Sequence, residues 1–315
     1  MMTSARRVAG TLLLASSILS AQAPTMTATI TQPLAVFAGY PSSQQSLPAG
    51  PLPAAGANLA VATNPFAASA FLDAVPTASG FRLRAGGGAI LAPHGYGTFT
   101  TGGEIVLDLT LPSPAPVLVR ITGTAAFGGA GMVTEVDLDN DQTVEVSLSA
   151  PFPVPTAIDL EFGLLVGPTG RSIRLRNTGS GAAGFSNVGV DVDLTLSFVV
   201  GASPLEAYGP GCIALGWQRD ATGTANLASP APTGSLGFFA FGFTPRQIPL
   251  PIAPGCFQLL DPLFAVPVIP SNGVATFTQP ALALPPGLAV RFQAAVLGAG
   301  GALQTSNGLV MTGPM

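Results

Sequence analysis

The chain has 315 residues, of which 8% are charged and 48% apolar, with 39 glycines and 31 prolines. Low charge with high apolar content excludes a disordered chain, and a Gly or Pro about every four or five residues disfavours long helices while suiting turns between short strands. A formal net charge of -4 without a basic stripe removes the counterion-release energy on which nucleic-acid binding depends, so nucleic acid is not an expected partner.

In chain order, Met1 to Ala23 has the three parts of a secretory signal peptide: Arg6-Arg7, an apolar run from Val8 to Leu19, and the small-residue triplet Ala21-Gln22-Ala23. The run is short for a permanent anchor, and no later stretch offers 18 unbroken apolar residues, so no transmembrane helix is expected after signal cleavage. The expected location is extracytoplasmic: periplasm, cell surface or medium. At roughly 100–200 residues per domain the remainder makes two modules. Residues 24–200 carry twelve acidic groups against six arginines, whereas 201–315 carry three of each, which places the boundary near residue 200.

Within 24–200, Tyr40 to Gly56 is rich in Pro, Ser and Gln and reads as a long surface loop. Ile105, Leu107, Leu109 and Leu111 alternate with mostly polar residues, Val117, Val119 and Ile121 keep the same spacing, and Val188 to Phe198 alternates without error. A period of two means half-buried strands. Two hairpins are expected: Met132–Asp139 with Thr143–Leu148 around Asn140-Asp141-Gln142, and Ile158–Leu165 with Arg171–Arg176 around Gly167-Pro168-Thr169-Gly170. The second would set Glu161 opposite Arg176 as a cross-strand ion pair. The fold class is all-β, with two β-sandwich-like modules after the signal peptide, and a jelly roll is one form open to the first.

After residue 200 the pattern changes to longer apolar stretches cut by proline: Leu236–Phe243, Phe264–Ile269, Val274–Thr278 and Leu288–Val296. These read as strands buried on both faces or lying near a small dense core. Cys212 and Cys256 are the two cysteines, and in an exported chain they are expected to form a disulfide, since a two-Cys metal site would lack further ligands nearby. The spacing of Tyr208-Gly-Pro-Gly-Cys212, Gly234-Ser-Leu-Gly-Phe238, Pro254-Gly-Cys256, Gly273-Val-Ala-Thr276, Gln293-Ala294 and Ser306-Asn-Gly-Leu309 resembles uncharacterised C-terminal β-modules that recur in secreted proteins of planctomycete-type bacteria. The resemblance covers the last third of the chain and implies an extracytoplasmic two-Cys β-domain with no catalytic residue to carry over.

Chemistry has few candidates. Glu135, Asp137, Asp139, Asp141 and Glu145 surround the first hairpin turn, and hard cations such as Ca²⁺ need several carboxylate oxygens converging on one point. Alternation puts Glu135, Asp137 and Asp139 on one face, and a three-residue turn sets Glu145 opposite Asp137. The run is not an EF-hand, because Gln142 and Leu148 stand where that loop needs Gly and Glu. The competing reading is a solvated acidic hairpin. Asp191 and Asp193 share a strand face and could form an acid/base pair for glycoside hydrolysis only if burial raised one pKa. His94 lies in a turn, and without G-x-S-x-G it has no nucleophile motif to serve. Gly179-Ser-Gly181-Ala-Ala-Gly184 matches G-x-G-x-x-G but runs into a strand, and reads as a flexible loop. Trp217, Tyr208, Tyr96 and Tyr40 could stack on sugar rings, although with so few aromatics core or turn packing is the stronger reading.

The leading expectation is therefore a secreted, non-enzymatic structural or adhesive protein with no catalytic residues and no cofactor apart from Ca²⁺. Its partners would be a surface glycan or an envelope protein. The alternatives are a carbohydrate-binding module, Ca²⁺-dependent through the acidic hairpin, and an outer-membrane barrel, for which aromatic girdles are hard to assemble from 3 Tyr, 1 Trp and 18 Phe.

Overall fold

The computed structural model describes residues 24–39, 42–63, 68–92, 95–129, 131–149, 155–183, 188–220 and 222–314. The expected signal peptide, Tyr40 and His94 lie outside them. Among the described residues every regular element is a strand, and no helix is long and apolar enough to cross a membrane.

Up to residue 200 the strands are β1 (Thr25–Gly39), β2 (Ser43–Leu47), β3 (Gly50–Pro51), β4 (Ala57–Ala62), β5 (Ala68–Thr77), β6 (Gly80–Ala89), β7 (Leu91–Ala92), β8 (Gly95–Tyr96), β9 (Thr98–Thr110), β10 (Ala115–Gly128), β11 (Gly131–Asp137), β12 (Val146–Ser149), β13 (Thr156–Val166), β14 (Arg171–Ala182) and β15 (Val188–Val200). A front sheet runs β12-β11-β14-β9-β1-β2, with β3 also on β1, and a back sheet runs β13-β10-β15-β6-β5-β4. All these pairings are antiparallel. The late strands β14 and β15 insert between earlier ones, β9 and β11 in front and β6 and β10 behind. This is the long-range crossing from which Greek-key and jelly-roll sandwiches are built.

The alternating residues meet between the sheets. Ile105, Leu107 and Leu109 of β9 and Ile173 and Leu175 of β14 join Val117, Val119 and Ile121 of β10, Phe81 and Leu83 of β6 and the Val190–Phe198 series of β15 in one buried cluster. Their removal from water, at about 25 cal/mol per Å² of apolar surface, holds the sandwich together.

Three local expectations change. The stretch read as a loop contains β2, paired residue for residue with Leu34–Ala38 of β1. An edge strand can carry Ser and Gln outward, because the ladder is made by backbone groups rather than side chains. Gly179–Ala182 of the G-x-G-x-x-G stretch is likewise strand, paired with Thr98–Thr101 of β9, while Gly184 lies outside the described residues. Gly167–Gly170 is not a hairpin turn. β13 belongs to the back sheet and β14 to the front, so the turn is a corner between sheets, with Gly170 at φ 77° and Leu111 N–H bonded to the Gly167 carbonyl. Glu161 is thus opposite Arg120, and Arg176 opposite Glu135 and Glu104.

The second part contains β16 (Leu205–Tyr208), β17 (Gly216–Arg219), β18 (Ala225–Pro230), β19 (Leu236–Gly242), β20 (Pro245–Pro249), β21 (Phe257–Leu260), β22 (Phe264–Val268), β23 (Val274–Gln279), β24 (Ala289–Leu297) and β25 (Leu303–Thr312). A sheet ordered β16-β25-β24-β19-β22 faces a three-stranded sheet β17-β18-β23 across a separate, smaller core of Leu227, Phe239, Phe241, Phe292, Leu309 and neighbours, with the Phe277 ring against Phe239 and Phe241. Cys212 and Cys256 are bonded. Not every apolar run is interior. β22 is an edge strand, where Phe264 is exposed and Ile269, just beyond it, is 88% accessible. Pro267 takes one donor out of that edge, which blunts pairing with other chains.

Candidate functional site

The acidic hairpin forms in the expected register. β11 and β12 pair with Val136 opposite Val146, and continuing that ladder sets Asp137 opposite Glu145. Between them the chain turns through Asn140 at φ 57° and Gln142 at φ 77°. Asn tolerates this left-handed region because its short side chain can bond the local backbone, whereas Gln142 there is a less common choice.

The turn bends the backbone around its own carboxylates. Asp137 accepts the N–H groups of Asp141 at 3.2 Å and Gln142 at 2.9 Å, Asp141 accepts Thr143 N–H at 2.7 Å, and Glu145 accepts Leu138 N–H at 2.7 Å. One oxygen each from Asp137, Asp139, Asp141 and Glu145 then lies within 4.8 Å of the others. Asp137 is the anchor: 1% of its side chain is accessible, and Arg174, its cross-strand neighbour on β14, donates to it at 2.8 Å. Asp141 is solvated, and the Thr143 N–H and hydroxyl hold its carboxyl below the ordinary range, so it stays ionised. Glu135 does not join the group. Two residues along a strand is about 6.5 Å, too far for a shared ion, and Glu135 instead meets Arg176 at 3.7 Å.

Four carboxylate oxygens that lie within 4.8 Å of one another could hold a metal ion.

Several charged groups elsewhere are paired across strands. Asp193 and Asp191 face Arg82 at 2.5 Å and Arg84 at 3.5 Å. The Arg82 guanidinium holds the Asp193 carboxyl below its usual value, opposite to what a general acid requires. Arg120 binds Asp159 at 2.8 Å and Arg246 binds Asp261 at 2.5 Å. Two of the aromatic candidates also have structural partners. Trp217 packs against the second core, and the Tyr208 hydroxyl donates to the Leu259 carbonyl at 3.1 Å while its ring lies over Gly308. Burial raises the Tyr208 pKa. Tyr96 lies in β8, which pairs with β7.

Two buried polar groups escaped the sequence reading. Asn177 sits inside the sandwich, its Oδ1 taking the Thr134 hydroxyl at 2.9 Å and its Nδ2 without a partner among the described residues. Arg219 meets Glu161 at 2.8 Å across the module boundary. Neither breaks a hydrophobic period visibly enough to be singled out, because each is recognisable only from a partner more than forty residues away.

No protein-family model matches the chain, and no curated protein does. Among solved structures, a glycoside hydrolase domain, Endo-D (Spr0440) from Streptococcus pneumoniae R6, aligns with 82% of this chain at 10% identity and a TM-score of 0.19. The chain spans 37% of that protein's length, and at this TM-score the likeness carries no argument.

Proposed function

We propose that the protein is an extracytoplasmic, non-enzymatic structural or adhesive protein whose sandwich takes a Ca²⁺ ion in the loop from Asp137 to Glu145. The observation that carries the reading is the convergence of four carboxylates on a tight, backbone-bonded turn. The disulfide agrees with an oxidising compartment, where Ca²⁺ is plentiful enough for an affinity of about 10⁻⁴–10⁻³ M to suffice. With Asp137 already neutralised by Arg174, three ionised groups remain to balance the ion, which fits that weak class better than a tight buffer site. The ion would tie β11 to β12 at the edge of the front sheet and stiffen an edge available to a surface glycan or envelope protein. The paired charges on the sheet faces favour a scaffold over an enzyme.

In EDTA-treated protein, millimolar Ca²⁺ is expected to raise the melting temperature, and Asp139→Asn with Asp141→Asn to abolish the rise. Turnover on a panel of glycosides, esters and peptides, removed by changing one polar residue, would overturn the non-enzymatic half of the proposal.

A further inference from the structure

We infer that the two modules are locked at a fixed angle by Glu161 and Arg219 and behave as one rigid body. The inference is independent of the cation reading. The pair joins β13 of the first module to β17 of the second, and their side chains are 4% and 1% accessible. Arg219 Nε lies 2.8 Å from one carboxylate oxygen of Glu161 and 3.0 Å from the other. The remaining guanidinium nitrogens donate to the carbonyls of Gly223, at 2.7 Å, and Ser203, and Glu161 also accepts Leu205 N–H at 3.0 Å. Arg120, held by Asp159, donates to the Arg219 carbonyl at 3.3 Å.

The polar centre is set among close-packed surfaces. Leu118 faces away from the sandwich core yet is 1% accessible, and a β-carbon on its cross-strand neighbour Gly163 would stand 3.1 Å from Pro204. Gly223, at φ 84°, lies against Val199. The connector is fixed too: Gly201 N–H bonds to the Pro116 carbonyl, Ser203 N–H to the Leu282 carbonyl, and the Ser203 hydroxyl accepts Leu284 N–H.

A buried ion pair is poor evidence of net stability, because desolvating two charges offsets their attraction. Its consequence is geometric. A planar guanidinium with its donors divided among Glu161, Ser203 and Gly223 is satisfied in one docking pose, and any rotation between modules strands a charge away from water. Interfaces between modules in one chain are commonly mobile, so a fully buried pair at this boundary is a specific device.

The test uses the full mature chain. Calorimetry should show one unfolding transition, small-angle scattering a compact particle, and protease should leave the connector at 200–204 intact. Arg219→Met leaves Glu161 buried and unpaired, and is expected to split the transition, enlarge the maximum dimension and speed connector cleavage more than tenfold. Should that variant not fold, Glu161→Gln, which keeps shape and the Leu205 acceptor, is expected to speed cleavage by several fold. Asp193→Asn, breaking an exposed pair of the same sheet, should change none of these. Two transitions in the unaltered protein, or a Glu161→Gln chain whose connector resists protease as before, would overturn the lock.

Discussion

The two modules solve the same burial problem with different means. The first spreads its core through two long sheets, so each of β6, β9, β10 and β15 brings several fully buried side chains to one cluster. Its outer faces are then free to carry ion pairs. The second has a smaller core and ties the β20–β21 hairpin down with directed bonds: the Cys212–Cys256 bridge, the Gln293 amide on Phe257 and Leu259 backbone groups, and the Thr305 hydroxyl on Phe257.

 A small core gains less from apolar burial, so a larger share of its order rests on covalent and polar ties.

That contrast makes the modules separable by experiment. The largest effect belongs to the bridge. Closing the 44-residue separation between Cys212 and Cys256 is worth about 4 kcal/mol in the chain-entropy account, so Cys212→Ser with Cys256→Ser should lower stability by about that amount. Hydrogen exchange should locate the loss in the β20–β21 region and leave the β9 and β15 amides protected. Equal loss of protection in the sandwich core would break the comparison.

A smaller effect is expected inside the sandwich, where the Asn177–Thr134 pair is imperfectly satisfied. Asn177→Leu leaves the buried Thr134 hydroxyl without its acceptor and should cost about 1–3 kcal/mol in urea unfolding. Adding Thr134→Val should recover most of it, since removing both partners is nearly neutral. If the double variant is no better than the single, the pair is not the source of the cost.

The smallest effect lies on the solvated face. Arg82 lowers the folded-state pKa of Asp193 below the ordinary 3.8, so the pair's stabilisation is complete above the unfolded value and is lost as pH falls through the folded one. Half-exposed Arg82 limits the contribution to at most about 1 kcal/mol. The stability difference between the unaltered chain and Asp193→Asn should therefore be present at pH 6 and shrink towards pH 2. A difference that grows on acidification would contradict the assigned cause.

Much of the sandwich could be read in the sequence because period-two burial is a local signal. The Val188–Phe198 alternation became β15, and the register of the acidic hairpin followed from its turn, bringing four of the five chosen carboxylates together. Glu135 was one pleat repeat too far away. Turn chemistry was less informative: Gly167–Gly170 has hairpin residues, but the same residues make a corner between sheets, and only the distant partners of β13 and β14 decide between the two. Long-range pairings such as Glu161 with Arg219, and the strand status of a Ser- and Gln-rich edge such as β2, leave no periodic mark at all.

Isothermal titration of Ca²⁺ into the EDTA-treated full chain tests the account most directly. It predicts one site per chain with a Kd of about 10⁻⁴–10⁻³ M, weaker heat with Mg²⁺, and none after Asp139→Asn with Asp141→Asn. An unaltered chain that gives no binding heat at several millimolar Ca²⁺, or binds equally well after both substitutions, would contradict it.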